Sequence, residues 1–281
     1  MKRRIIFTII VILIFLIGLS VMLYPIVSDY LNSQRQSRVV AQYFTDLLDI
    51  EPEDFEHLIE EAREYNKRLT HNADRFNFTP AQEQEYFNML NPFGNGMMGV
   101  LTIDKINVNL PLYHGTTEEV LQIGVGHFEG TSMPIGGIGT HSVISGHRGL
   151  PSSTLLTDLD QLVIGDIFVL NVVGEILTYQ VDRIIVVEPH DLQALAIDLE
   201  KDYSTLVTCT PYGINSHRML VRGFRVPNAP EAENQTPGSS VTGTQTNGEK
   251  IDVKLVAALI LAPVLLITIV VLIIKLKRIY S

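Results

Sequence analysis

The chain holds a single cysteine, Cys209, closing the β-branched run Thr205-Leu206-Val207-Thr208-Cys209-Thr210-Pro211. It has no intramolecular disulfide partner. A lone thiol has two readings: a small buried hydrophobe, or a nucleophile whose thiolate is held by a nearby base and cation. Two further residues bear on the choice. His147 lies in Ser145-Gly146-His147-Arg148-Gly149, where a strand ending between two glycines leaves an imidazole unhindered at the rim of a sheet. Arg218 follows the cysteine by nine residues. It is either a plain strand-surface charge or an anion-binding guanidinium. These three types can run acyl transfer. A thiolate attacks an amide carbonyl and becomes an acyl-enzyme. An imidazole gives the leaving amine its proton. A guanidinium, charged at any working pH, donates to the developing oxyanion.

The other histidines are read as structural. His57 and His71 lie in or beside helical sequence, where a solvated ring is the default, and His190 is in a Pro-flanked loop. His114, His127 and His141 lie near strand ends and glycine turns, positions suited to a loop-fixing hydrogen bond. No ligand cluster at recognised metal spacing is present, so no metal or cofactor is expected. Period-two alternation turns His217 away from Arg218 and Thr208 away from Cys209, which gives Thr208 a packing or hydrogen-bonding role.

These residues must be positioned by a sheet. Residues 99–112 alternate, with a break at Asp104-Lys105. Further strands are predicted at 142–145, 166–172, 176–187, 205–209 and 218–226. Short helices are predicted around 117–121 and 153–159. No sustained βαβ alternation occurs, which excludes a doubly wound parallel sheet and favours a small closed or nearly closed β-barrel. A helical preface precedes it. Apolar residues at Val39, Val40, Tyr43, Phe44, Leu47 and Leu48 have helical spacing, a second helix opens at Pro52, and Thr79-Pro80-Ala81-Gln82 is a capping-box signature.

Both ends carry apolar runs, 5–23 and 255–274, each long enough to cross a bilayer. No small-x-small cleavage site follows the first. Lys2-Arg3-Arg4 and Lys275-Leu276-Lys277-Arg278 flank their outer ends, which puts both termini in the cytoplasm and the residues between outside the cell. The predicted organisation is a membrane helix at 1–27, a preface at 28–97, a barrel at 98–227, a Pro/Gly/Ser/Thr-rich linker at 228–250, a second membrane helix at 251–275 and a cytoplasmic tail at 276–281. A net charge of −10 argues against a nucleic-acid partner.

Ser-Gly-His-Arg-Gly at 145–149, Thr-Leu-Val-Thr-Cys at 205–209 and the downstream Arg218 resemble the sortases. The stretch His127-Phe128-Glu129-Gly130-Thr131-Ser132, the Leu150-Pro151 pair, the preface and the second apolar run narrow the resemblance to class C, the pilus-assembling sortases of Gram-positive bacteria. The resemblance implies a mainly β, closed barrel of about eight strands with short helices, and no cofactor. It implies Cys209 as nucleophile, His147 as general acid/base and Arg218 as stabiliser of the tetrahedral intermediate. It also implies a lid of the form Asp-Pro-aromatic over the thiol, for which Asn91-Pro92-Phe93 is the matching stretch; Asn91 replaces the aspartate and cannot form a charge pair with Arg218. That stretch also reads as a simple turn. The implied reaction cuts a Leu-Pro-x-Thr-Gly-like signal between Thr and Gly and joins the acyl product to a pilin lysine. Attachment to a cell-wall precursor, or a non-enzymatic pilin-binding scaffold, are the alternatives. A papain-type protease is disfavoured, because that family places its cysteine before its histidine.

Overall fold

The computed structural model describes residues 2–72 and 74–228. They divide into two compact units, one of residues 2–32 and 151–153, the other of residues 33–150 and 154–228. The helix α1 (Lys2–Leu47) replaces the two helices expected for this region: it runs unbroken for 46 residues, with Pro25 inside it. It is the one helix among the described residues long and apolar enough to cross a membrane. The second apolar run and the linker from residue 229 onward lie outside the described residues.

The preface continues with α2 (Pro52–Leu69), opened by proline and by Glu53 and Asp54, and closed by Lys67 and Arg68. That charge order complements the helix dipole. Asn66 is buried in it and pairs with the backbone of Met133, accepting from its N–H at 2.7 Å and donating to its carbonyl at 3.1 Å. A side-chain amide thus does the work of a strand neighbour. The next helix, α3 (Pro80–Asn88), carries the predicted capping box between Thr79 and Gln82. Its Tyr86 is fully buried.

The barrel comprises β1 (Met97–Ile103), β2 (Val108–His114), β3 (Val125–His127), β4 (Thr140–Ser145), β5 (Ile167–Val172), β6 (Glu175–Val187), β7 (Asp202–Thr210) and β8 (His217–Val226), with the short helix α4 (Glu118–Ile123) between β2 and β3. It closes in the order β1-β2-β3-β4-β7-β8-β6-β5. The β2–β3 and β4–β7 pairs are parallel and the rest antiparallel. The break at Asp104-Lys105 is a tight 3₁₀ turn ending at Asn107, whose φ of 53° suits asparagine. The helix expected at 153–159 is absent: the chain turns there, Leu155 takes φ 41°, and a 3₁₀ turn follows at Leu159–Gln161. The three-residue β3 is too short to leave a period in the sequence.

Inward-facing Leu101, Phe168, Leu170, Tyr179, Leu206 and Val221 fill the barrel and are part of the main core. Alternation sends Val143, Val207 and Leu220 to the outer face of β4, β7 and β8. There Val143 and Leu220 form a separate cluster with Leu195, against which Val207, Leu192 and Phe128 pack. Val143 is fully buried despite facing outward, so this outer face is covered by loops.

Candidate active site

Cys209 sits at the end of β7, directly opposite Arg218 on β8. Facing residues of an antiparallel pair project to the same side of the sheet, so thiol and guanidinium share a face. It is the outer face, because Cys209 follows Val207 by two. The cysteine is partly exposed, not sealed in the core.

His147 reaches the same rim through the parallel partner strand. β4 pairs with β7 up to Ser145 opposite Val207, and the ladder continues with Gly146 N–H donating to Val207 O at 3.0 Å. Thr208, inward and buried, donates from its hydroxyl to Gly146 O at 2.8 Å. That is the hydrogen-bonding role expected of it. Gly146 is required by packing: a Cβ there would lie 2.7 Å from the Leu156 side chain. Two strand ends clamped at residue 146 therefore deliver His147 beside the end of β7. Arg148, its side chain 9% exposed, ties the segment down. It pairs with Asp160, reaches Thr210 Oγ1 at 3.5 Å and lies over the Tyr212 ring at 5.9 Å.

The polar groups at this rim are only partly committed. Arg218 donates through Nη1 to the carbonyls of Asn215 at 3.2 Å and His217 at 3.1 Å, which leaves the rest of its fork for a ligand. His147 Nε2 lies 3.3 Å from Glu118 Oε2 on α4, without the alignment of a hydrogen bond. Glu118 was not legible in sequence, since it is brought there by the fold from a short helix. A thiol, a cation on its own face and an imidazole on the adjoining strand end form a constellation able to make and break an acyl–sulfur bond.

The three buried histidines, His114, His127 and His141, are engaged at both ring nitrogens. His141 meets Ala196 O at 2.9 Å and the Thr205 hydroxyl at 2.7 Å. His127 meets Ser132 O at 2.8 Å and the Tyr86 hydroxyl at 3.0 Å. Burial pushes both down to about 4. His114, also lowered by burial, bridges Gly96 O at 2.9 Å and Met89 O at 2.6 Å. His57, His71 and His190 are exposed, as is His217, whose ring meets the Ser216 hydroxyl.

Asn91, Pro92 and Phe93 are placed elsewhere. Asn91 donates to Phe87 O at 3.0 Å and accepts from Gly96 N–H at 2.9 Å, so its amide is spent on its own turn. Phe93 stands edge-on to Tyr43 of α1, ring centroids 5.8 Å apart, in a cluster with Met97 and Val100. Strand directions around the closed barrel start β1 at the rim opposite Cys209. Among the described residues, no hydrogen bond or ring contact joins Asn91 or Phe93 to Cys209 or Arg218. Arg75 and Phe76 pack instead on Leu195 and Phe128, which cover the outer face of β4 and β7. Arg75 donates through Nη2 to Leu195 O at 2.9 Å and stacks on Phe76 at 4.6 Å, and Phe76 stands edge-on to Phe128 at 6.0 Å. A Cβ on Gly130 would lie 2.4 Å from Arg75 O, so only glycine admits this segment. Asp74-Arg75-Phe76 is an acidic-x-aromatic triplet with arginine where the expected lid has proline. Asp74 bonds Asn77, within its own turn.

Residues 101–226 match the family model described as a sortase domain. Sortase D of Bacillus subtilis (strain 168) is 33% identical over 132 residues, 46% of this chain and 63% of that protein, so the chain spans under two thirds of that relative's length. Among solved structures, sortase C1 from Streptococcus agalactiae is 49% identical, with a TM-score of 0.67 over 68% of this chain and 100% of that one. Sortase C from Streptococcus pneumoniae, a structure described for catalysis and pilin substrate specificity, is 41% identical, with a TM-score of 0.62 over 69% of this chain and 99% of that one.

Proposed function

The chain belongs to the sortase family, and on that premise we propose that it is a membrane-tethered cysteine transpeptidase that polymerises pilins. The reading is carried by one observation: Cys209 and Arg218 face each other across β7 and β8, with His147 delivered to the same rim by β4.

In this reading Cys209 Sγ attacks the threonine carbonyl of a Leu-Pro-x-Thr-Gly-like signal while Arg218 donates to the oxyanion. The Thr–Gly C–N bond breaks, His147 gives a proton to the glycine amine, and the acyl group remains as a thioester. A pilin lysine amine then attacks the thioester, His147 takes up the proton, and sulfur leaves as the new amide forms. Similarity to sortases C supports the pilin class, since one of them is described through its pilin specificity. The apolar helix α1 supports anchoring in a membrane. The second span at 251–275, the linker before it and the extracellular placement of the barrel complete the proposed topology. Residues 74–76, which pack through Arg75 and Phe76 on Leu195 and Phe128, are the proposed lid in place of 91–93.

The test uses purified full-length protein with a pilin carrying a sorting signal. Wild type should yield lysine isopeptide-linked multimers by mass spectrometry, and Cys209→Ala none. Multimers from Cys209→Ala would overturn the mechanism. Products joined only to a peptidoglycan amine would overturn the pilin assignment.

A further inference from the structure

The environment of His147 is asymmetric. Its Nε2 is shut off from solvent, while the side chain as a whole is 23% exposed. The atom facing Nε2 is Glu118 Oε2, at 3.3 Å. Glu118 is itself held: its other oxygen, Oε1, accepts from Gln122 Nε2 at 3.1 Å, one turn along α4. An i,i+4 pair of this kind fixes a carboxylate that would otherwise sample several rotamers. Gln122, Glu118 and His147 thus form a short relay of polar contacts ending on the buried edge of the imidazole.

We propose that Glu118 is a positioning residue for His147, turning Nε2 toward α4 so that Nδ1 is the nitrogen presented to the reacting atoms. This rests on the transpeptidase reading and deepens it. The two ring nitrogens of a histidine are distinct, and what holds one decides which atom of the ring is free to exchange a proton. A carboxylate 3.3 Å from Nε2 favours the proton on that nitrogen by its charge and leaves the Nδ1 lone pair to receive the proton of an incoming amine. In the acylation step the same nitrogen returns a proton to the leaving amine, so one ring orientation serves both half-reactions. Other charged groups flank the ring segment: Glu119 on α4, Arg148 with its partner Asp160, and Arg218 on β8. Glu118 is the one whose carboxylate is paired with the ring.

Glu118 is 63% exposed, so its removal should leave the fold intact and cost a modest factor. The experiment measures kcat and KM of the full-length protein in detergent, with a synthetic Leu-Pro-Glu-Thr-Gly peptide as donor and Nα-acetyl-lysine amide as acceptor. Glu118→Ala should lower kcat about three- to fivefold with the donor KM unchanged, the scale of a partly exposed ion pair. Glu118→Asp should recover part of the loss, and Gln122→Leu should reproduce it in smaller measure. In ¹⁵N-histidine-labelled protein, the His147 Nε2–H resonance should be visible in wild type and lost to solvent exchange in Glu118→Ala. Unchanged kcat and an unchanged Nε2–H signal in Glu118→Ala would overturn the positioning role while leaving the transpeptidase reading intact. Turnover surviving in Cys209→Ala would sink that reading instead, so the two failures are distinguishable.

Discussion

Two histidine environments divide the barrel. Where the preface and the loops are stitched to the sheet, His114, His127 and His141 are buried with both ring nitrogens engaged by carbonyls or hydroxyls. At the rim where β7 ends, His147 is partly exposed with Nε2 facing the Glu118 carboxylate outside hydrogen-bond alignment, and Arg218 donates through Nη1. The same residue type therefore serves opposite purposes. A saturated imidazole holds segments in place, because a buried polar atom left unpaired is costly. An unsaturated one retains the capacity to meet a reacting group, and the fold keeps it in place by clamping the backbone at Gly146 instead of the ring.

The comparison breaks first at Arg218. If the rim is built for an oxyanion, Arg218→Ala should lower kcat roughly 10²- to 10³-fold, the scale of losing one oxyanion donor, with thermal stability unchanged. A loss of stability with little loss of rate would place Arg218 with the structural set. Acid titration probes the other side. The folded-state values of His127 and His141 lie near 4, below the ordinary 6.5. Their contribution is thus present in full above pH 6.5 and is lost as pH falls toward 4. Each is worth at most roughly 3 kcal/mol. Denaturant unfolding across that window should show falling stability, and His141→Gln should flatten the slope. A flat profile in wild type would contradict the saturated assignment. The smallest effect separates the two candidate covers. Phe76→Ala should speed alkylation of Cys209 a few-fold, whereas Phe93→Ala should not change it, since Phe93 packs on Tyr43. The reverse result would restore 91–93 as the lid.

Much of this was legible in sequence where a local signal existed. β-branched alternation marks β7 and β8, and two glycines bracket His147. Thr79 and Gln82 announce the start of α3. Other features depend on contacts far along the chain. Glu118 meets His147 because α4 crosses over between the parallel β2 and β3 and β3 pairs with β4, a juxtaposition no spacing encodes. α1 runs unbroken past residue 27, the predicted end of the membrane helix, into the preface. The Asn-Pro-Phe stretch resembled a lid more closely than Asp74-Arg75-Phe76 did. The structure spends its asparagine on Gly96 and its ring on α1, and packs the arginine-bearing triplet on Leu195 and Phe128.

The central claim is that Cys209 carries the acyl group. Intact-mass spectrometry of full-length protein mixed with a Leu-Pro-Glu-Thr-Gly peptide tests it most directly. The account predicts a Leu-Pro-Glu-Thr acyl adduct mapped to Cys209, released by hydroxylamine as a thioester should be, and absent from Cys209→Ala. Peptide cleavage at an equal rate by Cys209→Ala, with no adduct on the wild-type thiol, would contradict it.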